Sequence, residues 1–206
     1  MKGFLPKEPP LREYQVNSLS LDRLQEIAYN LPKLLLTGRV QPTVKSLTKN
    51  DLSIQEILES DREREIRLAM VHLSFISHAY VLGGGKPNDK LPEVLAAPWV
   101  GVSEFLGRPP VLSYASYCLD NWFLLEQGEI CLENVGLINN FLGGLDEDWF
   151  VTIHVCIEDA ASSAIEAADK LSQCDNTSNE AEVKSLLSDI EISLKKVNKI
   201  FLRMPE

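Results

Sequence analysis

A chain of 206 residues, 45% apolar and 24% charged, has the make-up of an ordinary globular protein. Its formal charge of −10 speaks against a nucleic-acid partner, because phosphate binding requires clustered Lys and Arg. It holds no apolar run of about 18 residues for a membrane span, and Met1-Lys2-Gly3-Phe4-Leu5-Pro6 breaks before a signal core could form, so a cytoplasmic protein with no membrane partner is expected.

The first twenty residues carry Pro6, Pro9, Pro10 and polar side chains, the pattern of an extended surface arm. Ser20 or Asp22 can cap a helix in which Leu21, Leu24, Ile27, Ala28 and Leu31 recur at helical spacing, with Pro32 as a kink and Gly38 as the end. Short helices are expected around Val44 to Leu47 and from Ser53 to Leu58. A long one from Asp61 to Leu82 places Ile66, Met70, Leu73, Ile76 or Ser77 and Tyr80 on one stripe and stops at Gly83-Gly84-Gly85. Its charged start, Asp61 to Arg67, is a solvated first turn with i,i+4 pairs.

From Leu91 to Trp122 the chain reads LPEVLAAPWVGVSEFLGRPPVLSYASYCLDNW. Pro92, Pro98 and Pro109-Pro110 each remove a backbone donor and fix φ, so they should cut the first part into short helical pieces. Val111 to Trp122 lacks Gly and Pro, and Tyr114, Cys118, Leu119 and Trp122 would lie on adjoining faces of one helix, suited to a core or to a flat aromatic ligand. Glu126 to Gly144 is a glycine-punctuated connector with room for an extended piece at Ile130-Cys131-Leu132. Asp146 can cap a helix to about Ser172 whose Ala160, Ala161, Ala164, Ala167 and Ala168 allow close packing. Past a polar loop, Gln173 to Glu180, the last helix repeats Val183, Leu187, Ile190, Leu194, Val197 and Phe201 in steps of four and three, a seam for antiparallel packing. The fold class is therefore all-α, with no internal repeat.

Cys118, Cys131, Cys156 and Cys174 form no CxxC, haem-attachment or zinc spacing and read as reduced, mostly buried thiols. Gly83-Gly84-Gly85-Lys86 follows a helix instead of opening one, which disfavours a phosphate loop. Gly101-Val102-Ser103 lacks the second glycine and the strand of a nucleophile elbow. His72 and His78 sit about 120° apart on their helix and do not make a metal pair. His154, one turn after Phe150, has two readings. Spacing alone favours a core histidine bonded to a backbone carbonyl, and the alternative is a polar group lining a pocket.

In order and spacing, Leu31-Pro32, Ala79-Tyr80-Val81, the proline signposts at 98 and 109–110, and Glu158-Asp159-Ala160-Ala161-Ser162-Ser163-Ala164-Ile165 resemble the indoleamine 2,3-dioxygenase family over most of the chain. The resemblance implies a small N-terminal helical domain, residues 1–135, capping a larger helical domain that 136–206 would open with two long helices. Between the two such proteins hold haem b, which with dioxygen opens the pyrrole ring of tryptophan or a related indole, giving N-formylkynurenine-type products. By the same resemblance Tyr114, Tyr117, Cys118 and Val151 line the distal substrate pocket and Phe150 stacks near the indole. His154 takes the distal polar position as a donor on the haem side. Animal members carry serine there and tryptophan 2,3-dioxygenases histidine. Tyr117 stands for a smaller residue and Val151 for a second phenylalanine.

Neither His72 nor His78 matches the family's proximal motif, so no metal ligand is assigned, and haem is expected only with the family's C-terminal half supplied. The 206 residues alone would then be inactive. The competing expectations are a non-enzymatic helical interaction module that keeps the scaffold without haem, and a fragment. In either, the faces of Ala160 to Ala168 and Val183 to Phe201 would favour self-association.

Overall fold

The computed structural model describes residues 3–60, 62–84, 86–174 and 179–206. Asp61, expected to open the long helix, Gly85 of the glycine run and 175–178 of the polar loop lie outside the described residues. In chain order the elements are α1 (Leu19–Tyr29), α2 (Leu31–Leu36), α3 (Val40–Lys45), α4 (Gln55–Glu59), α5 (Glu63–Leu82) and α6 (Glu93–Leu106). A π-turn (Ala115–Leu119) follows, then β1 (Trp122–Leu124), β2 (Val135–Leu137), α7 (Leu145–Ser172) and α8 (Glu180–Phe201). The architecture is mainly α, as the periodicity predicts, and among the described residues no helix is long and apolar enough to cross a membrane.

The N-terminal core is built around α5, against which α1, α3, α4 and α6 pack. The expected stripe is buried, but so are Leu68, Val71, His72, Ser74 and Phe75 on its other sides. A helix surrounded in this way needs apolar residues all round. α6 corrects the expectation of short pieces, because it runs straight through Pro98. The missing amide costs one helical hydrogen bond, and burial of Val94, Leu95, Trp99 and Val102 in the same core as α5 offsets it. The helix ends at Gly107, whose φ of +62° is a left-handed cap that glycine adopts without strain.

The helix expected from Val111 to Trp122 is also corrected: only the π-turn forms, and Trp122 opens a strand. Buried Asn121 explains the switch. Its Nδ2 donates to the Asn139 carbonyl and its Oδ1 accepts from the Asn139 amide, both at 2.8 Å. This pairing draws the chain into a two-stranded antiparallel ribbon with Trp122 opposite Leu137 and Phe123 opposite Gly136. The extended piece expected at 130–132 lies in the loop between the strands.

α7 and α8 form a hairpin, and the stripe that α8 turns to α7 keeps half of the expected seam: Val183, Ile190 and Val197 are half-buried. Leu186 and Ser193 are the buried residues of α8, Ser193 Oγ donates to the Ala160 carbonyl at 2.6 Å, and Ile200 packs on the second core. Leu187, Leu194 and Phe201 of the expected seam are 53%, 55% and 56% exposed, so that stripe faces outward. The second core unites Leu5, Cys118, Trp122, Val135, Val151, Val155 and Cys156 and fixes the start of α7 against the π-turn. Of the four free thiols, Cys118 and Cys156 are buried, Cys131 is exposed and Cys174 is half-buried.

Candidate functional site

Phe150, His154 and Glu158 follow one another at i, i+4 and i+8 on α7 and share one face of the helix. The π-turn lies against that face. Its wide i→i+5 loop, closed by Asp120 N–H donating to the Ala115 carbonyl at 2.8 Å, changes the phase of the side chains. Tyr114 and Tyr117 both reach the α7 face, while Ser116 and Cys118 turn inward.

The result is an aromatic strip. The His154 ring sits 4.3 Å from the Phe150 ring, and Tyr114 meets His154 edge-on at 5.9 Å. Tyr117 lies 6.3 Å from Phe150 and is backed by Phe75, stacked at 5.7 Å, and by Phe141 at 6.4 Å. The Tyr114 hydroxyl donates to Glu158 Oε1 at 2.8 Å, and the Tyr117 hydroxyl makes a long contact to Glu147 Oε1 at 3.5 Å. Tyr114 and Phe150 are 44% and 43% exposed, so the strip is an open wall. A cavity of about 490 Å³ lies away from it, between the 130–133 loop, α7 and α8.

Of the six residues the sequence singles out, the structure brings Tyr114, Tyr117, Phe150 and His154 together on this wall. Cys118 and Val151 are fully buried behind it in the second core, where they set its shape from below. Burial, helped by Glu158, pushes the Cys118 thiol up to about 12, which leaves no thiolate for nucleophilic chemistry near neutral pH. Burial and then Glu147 push the Tyr117 phenol up to about 12. Burial, followed by the hydrogen bond to Glu158, raises the Tyr114 phenol well above its usual range. Both phenols are hydrogen-bond donors under ordinary conditions.

His154 makes the backbone hydrogen bond of the first reading, but from a half-buried position outside the core. Its Nδ1 is 2.7 Å from the Phe150 carbonyl, which can only accept, so Nδ1 carries the proton. In the neutral ring Nε2 is then a lone-pair acceptor, and the donor expected there becomes an acceptor suited to an N–H group. The other two imidazoles are engaged elsewhere. His72 is fully buried on α5 with Nδ1 3.0 Å from the Tyr14 hydroxyl, and His78 donates to the Ser74 carbonyl at 3.0 Å. Glu147 and Glu158, which the sequence reading passed over, complete the face. The 147–150–154–158 spacing carries that signal, since each step returns to the same side of a helix.

For a planar macrocycle such as haem, the residues present fit one face: flat rings, apolar backing and a single imidazole acceptor. None of the three histidines stands clear of a backbone or phenol partner at Nδ1.

The family model for indoleamine 2,3-dioxygenase matches residues 1–206. The chain is 34% identical over 170 residues to the indoleamine 2,3-dioxygenase of Saccharomyces cerevisiae, covering 79% of this chain and 36% of the yeast protein. It is 35% identical over 181 residues to indoleamine 2,3-dioxygenase 1 of Rattus norvegicus, covering 86% and 43% respectively. With the 6-hydroxytryptophan 2,3-dioxygenase of Fusarium equiseti it shares 28% identity over 202 residues, covering 96% and 48%. The chain therefore spans less than half the length of each of these three relatives.

Proposed function

The chain belongs to the indoleamine 2,3-dioxygenase family, and on that premise we propose that its aromatic strip is the distal wall of a pocket for oxidative opening of the indole pyrrole ring. The substrate is tryptophan or a related indole, with dioxygen as co-substrate. The observation that carries this reading is the His154 ring held 4.3 Å from Phe150 with its Nδ1 proton committed to the backbone. An indole lying on Phe150 and Tyr117 gains aromatic contact on its face, and its N–H finds an acceptor at His154 Nε2. Tyr114, tied to Glu158, limits how far the ring can slide.

When bound, haem b would supply the dioxygen and electron chemistry, between the small N-terminal cap and the larger helical domain that the family implies. This chain's residues exclude water from one side of the substrate, orient it and receive its N–H. With Nδ1–H committed to the Phe150 carbonyl, the neutral His154 ring can only accept at Nε2, a role that fits the N–H of an indole better than bound oxygen. The outward stripe of Leu187, Leu194 and Phe201 supports a second reading, a helical interaction surface that covers this face by self-association or by another partner.

The test of the first reading is complementation. Co-expressed with the part of the rat relative that lies beyond the matched stretch, the chain should yield a Soret band and consume tryptophan. Phe150→Ala and His154→Ala should each lower turnover by tenfold or more while the Soret band persists. Unchanged turnover in both variants would contradict the proposed wall.

A further inference from the structure

The strip has a carboxylate at each end, and the two are in different states. Glu147 is the more engaged: Oε1 accepts the Phe141 amide and Oε2 the Leu142 amide, each at 2.8 Å, which ties its carboxylate to the loop before α7. Glu158, eleven residues on, is less so. Among the described residues its carboxylate takes a single hydrogen bond, from the Tyr114 phenol to Oε1. A half-buried carboxylate with capacity left, and with no cation beside it among the described residues, attracts a positive group more strongly than one already bonded to two amides.

Position adds a second argument. Glu158 follows His154 by four residues, a rise of about 6 Å along the same face. A two-carbon side chain joins an indole ring to its amine, so a ring that gives its N–H to His154 can carry its ammonium about one turn away, toward Glu158. The N-terminal arm bounds this end: a Cβ placed on Gly3 would stand 3.3 Å from the Glu158 carbonyl oxygen and 3.2 Å from Ser162 Cα. At the opposite end the Glu147 carboxylate is held by two backbone amides and is less free to turn toward a ligand.

We infer that Glu158 is a specificity-determining residue, the carboxylate that receives the ammonium of an indole lying on the Tyr117, Phe150 and His154 rings. The inference rests on the reading of that strip as an indole wall. Tyr114 is its positioning partner, holding the carboxylate beside His154 through the 2.8 Å bond. The site then prefers indoles with a cationic side chain, tolerates the bare ring and disfavours those whose side chain is only a carboxylate.

Three probes separate the possibilities in calorimetric titrations of the 206-residue chain: indole, which is neutral, tryptamine, a cation, and indole-3-acetate, an anion. Tryptamine should bind at least tenfold more tightly than indole-3-acetate, with indole between them. Glu158→Gln keeps an acceptor for Tyr114 and removes the charge. It should bring the three affinities within about threefold of one another. Glu147→Gln should keep the preference. A preference that survives Glu158→Gln overturns the inference, and so does one lost equally in Glu147→Gln, which would trace it to the general negative field. Binding of indole without any charge preference would sink this inference alone. Failure of indole to bind, with Phe150→Ala indistinguishable from the unaltered chain, would sink the wall on which it rests.

Discussion

Two long helices of this molecule have opposite fates. α5 buries residues on every side and has a complete shell of neighbours, whereas α8 buries Leu186 and Ser193 and leaves Leu187, Leu194 and Phe201 more than half exposed. Both sequences carry strong apolar periodicity. Periodicity tells where a helix has an apolar face, and the contact that covers it is decided by the rest of the fold. In α8 the Leu186, Ser193, Ile200 line, flanked by half-buried Val183, Ile190 and Val197, is turned to α7, where Ser193 and Ala160 let the two backbones approach closely.

The contrast can be broken by substitution. The largest effect is expected at Asp120, which is 2% exposed, accepts from Arg108 at 2.6 Å and lies 3.5 Å from Arg67, joining the π-turn to α5. Asp120→Ala leaves two guanidinium groups without their shared partner and should cost about 3–5 kcal/mol in denaturant unfolding. Next is Leu73→Ala on α5, where a fully buried leucine leaves a cavity and the expected loss is about 2–5 kcal/mol.

Acid should then act through α5 and spare α8. His72 is held neutral by burial, which lowers its pKa from the usual 6.5 to about 3. The unfolded chain therefore binds the proton more readily. Stability present above about 6.5 is lost as pH falls toward about 3, by about 1.4 kcal/mol per unit, or ~2 kcal/mol by pH 5. Unfolding midpoints of the unaltered chain and His72→Gln, measured between pH 7 and 5, should converge. Parallel curves would place the acid sensitivity elsewhere. The smallest effect is expected from Leu194→Ala on α8, within about 0.5 kcal/mol, because the side chain is already in solvent. A loss comparable with that of Leu73→Ala would mean that α8 is covered in solution, and sedimentation of the same samples would show by how much mass.

Much of this was legible in the residues. The long α5, the break at Asn30 before Pro32 and the alanine-rich α7 follow from spacing and breakers alone. Phe150 and His154 on one face follow from the same periodicity. What escaped was decided at long range. The exchange of hydrogen bonds between Asn121 and Asn139, eighteen residues apart, turns an apparent helix into a π-turn and a strand. Strands of three residues are too short for a period-two pattern to register. Pro98 survives inside α6 because packing outweighs one lost hydrogen bond. Cys118 and Val151 lie next to the strip residues along the chain, but the phase of the π-turn and the second core turn them inward. The unequal engagement of Glu147 and Glu158 could not be read before the partners of each were known.

The most direct measurement is an amide-resolved NMR titration of the ¹⁵N-labelled chain with indole. Saturable shifts centred on Tyr114, Tyr117, Phe150 and His154, removed by Phe150→Ala, are expected if the aromatic strip is the wall of an indole pocket. Shifts centred instead on Cys156, Ile200 and Arg203, which line the cavity between α7 and α8, with the strip unmoved, would contradict it.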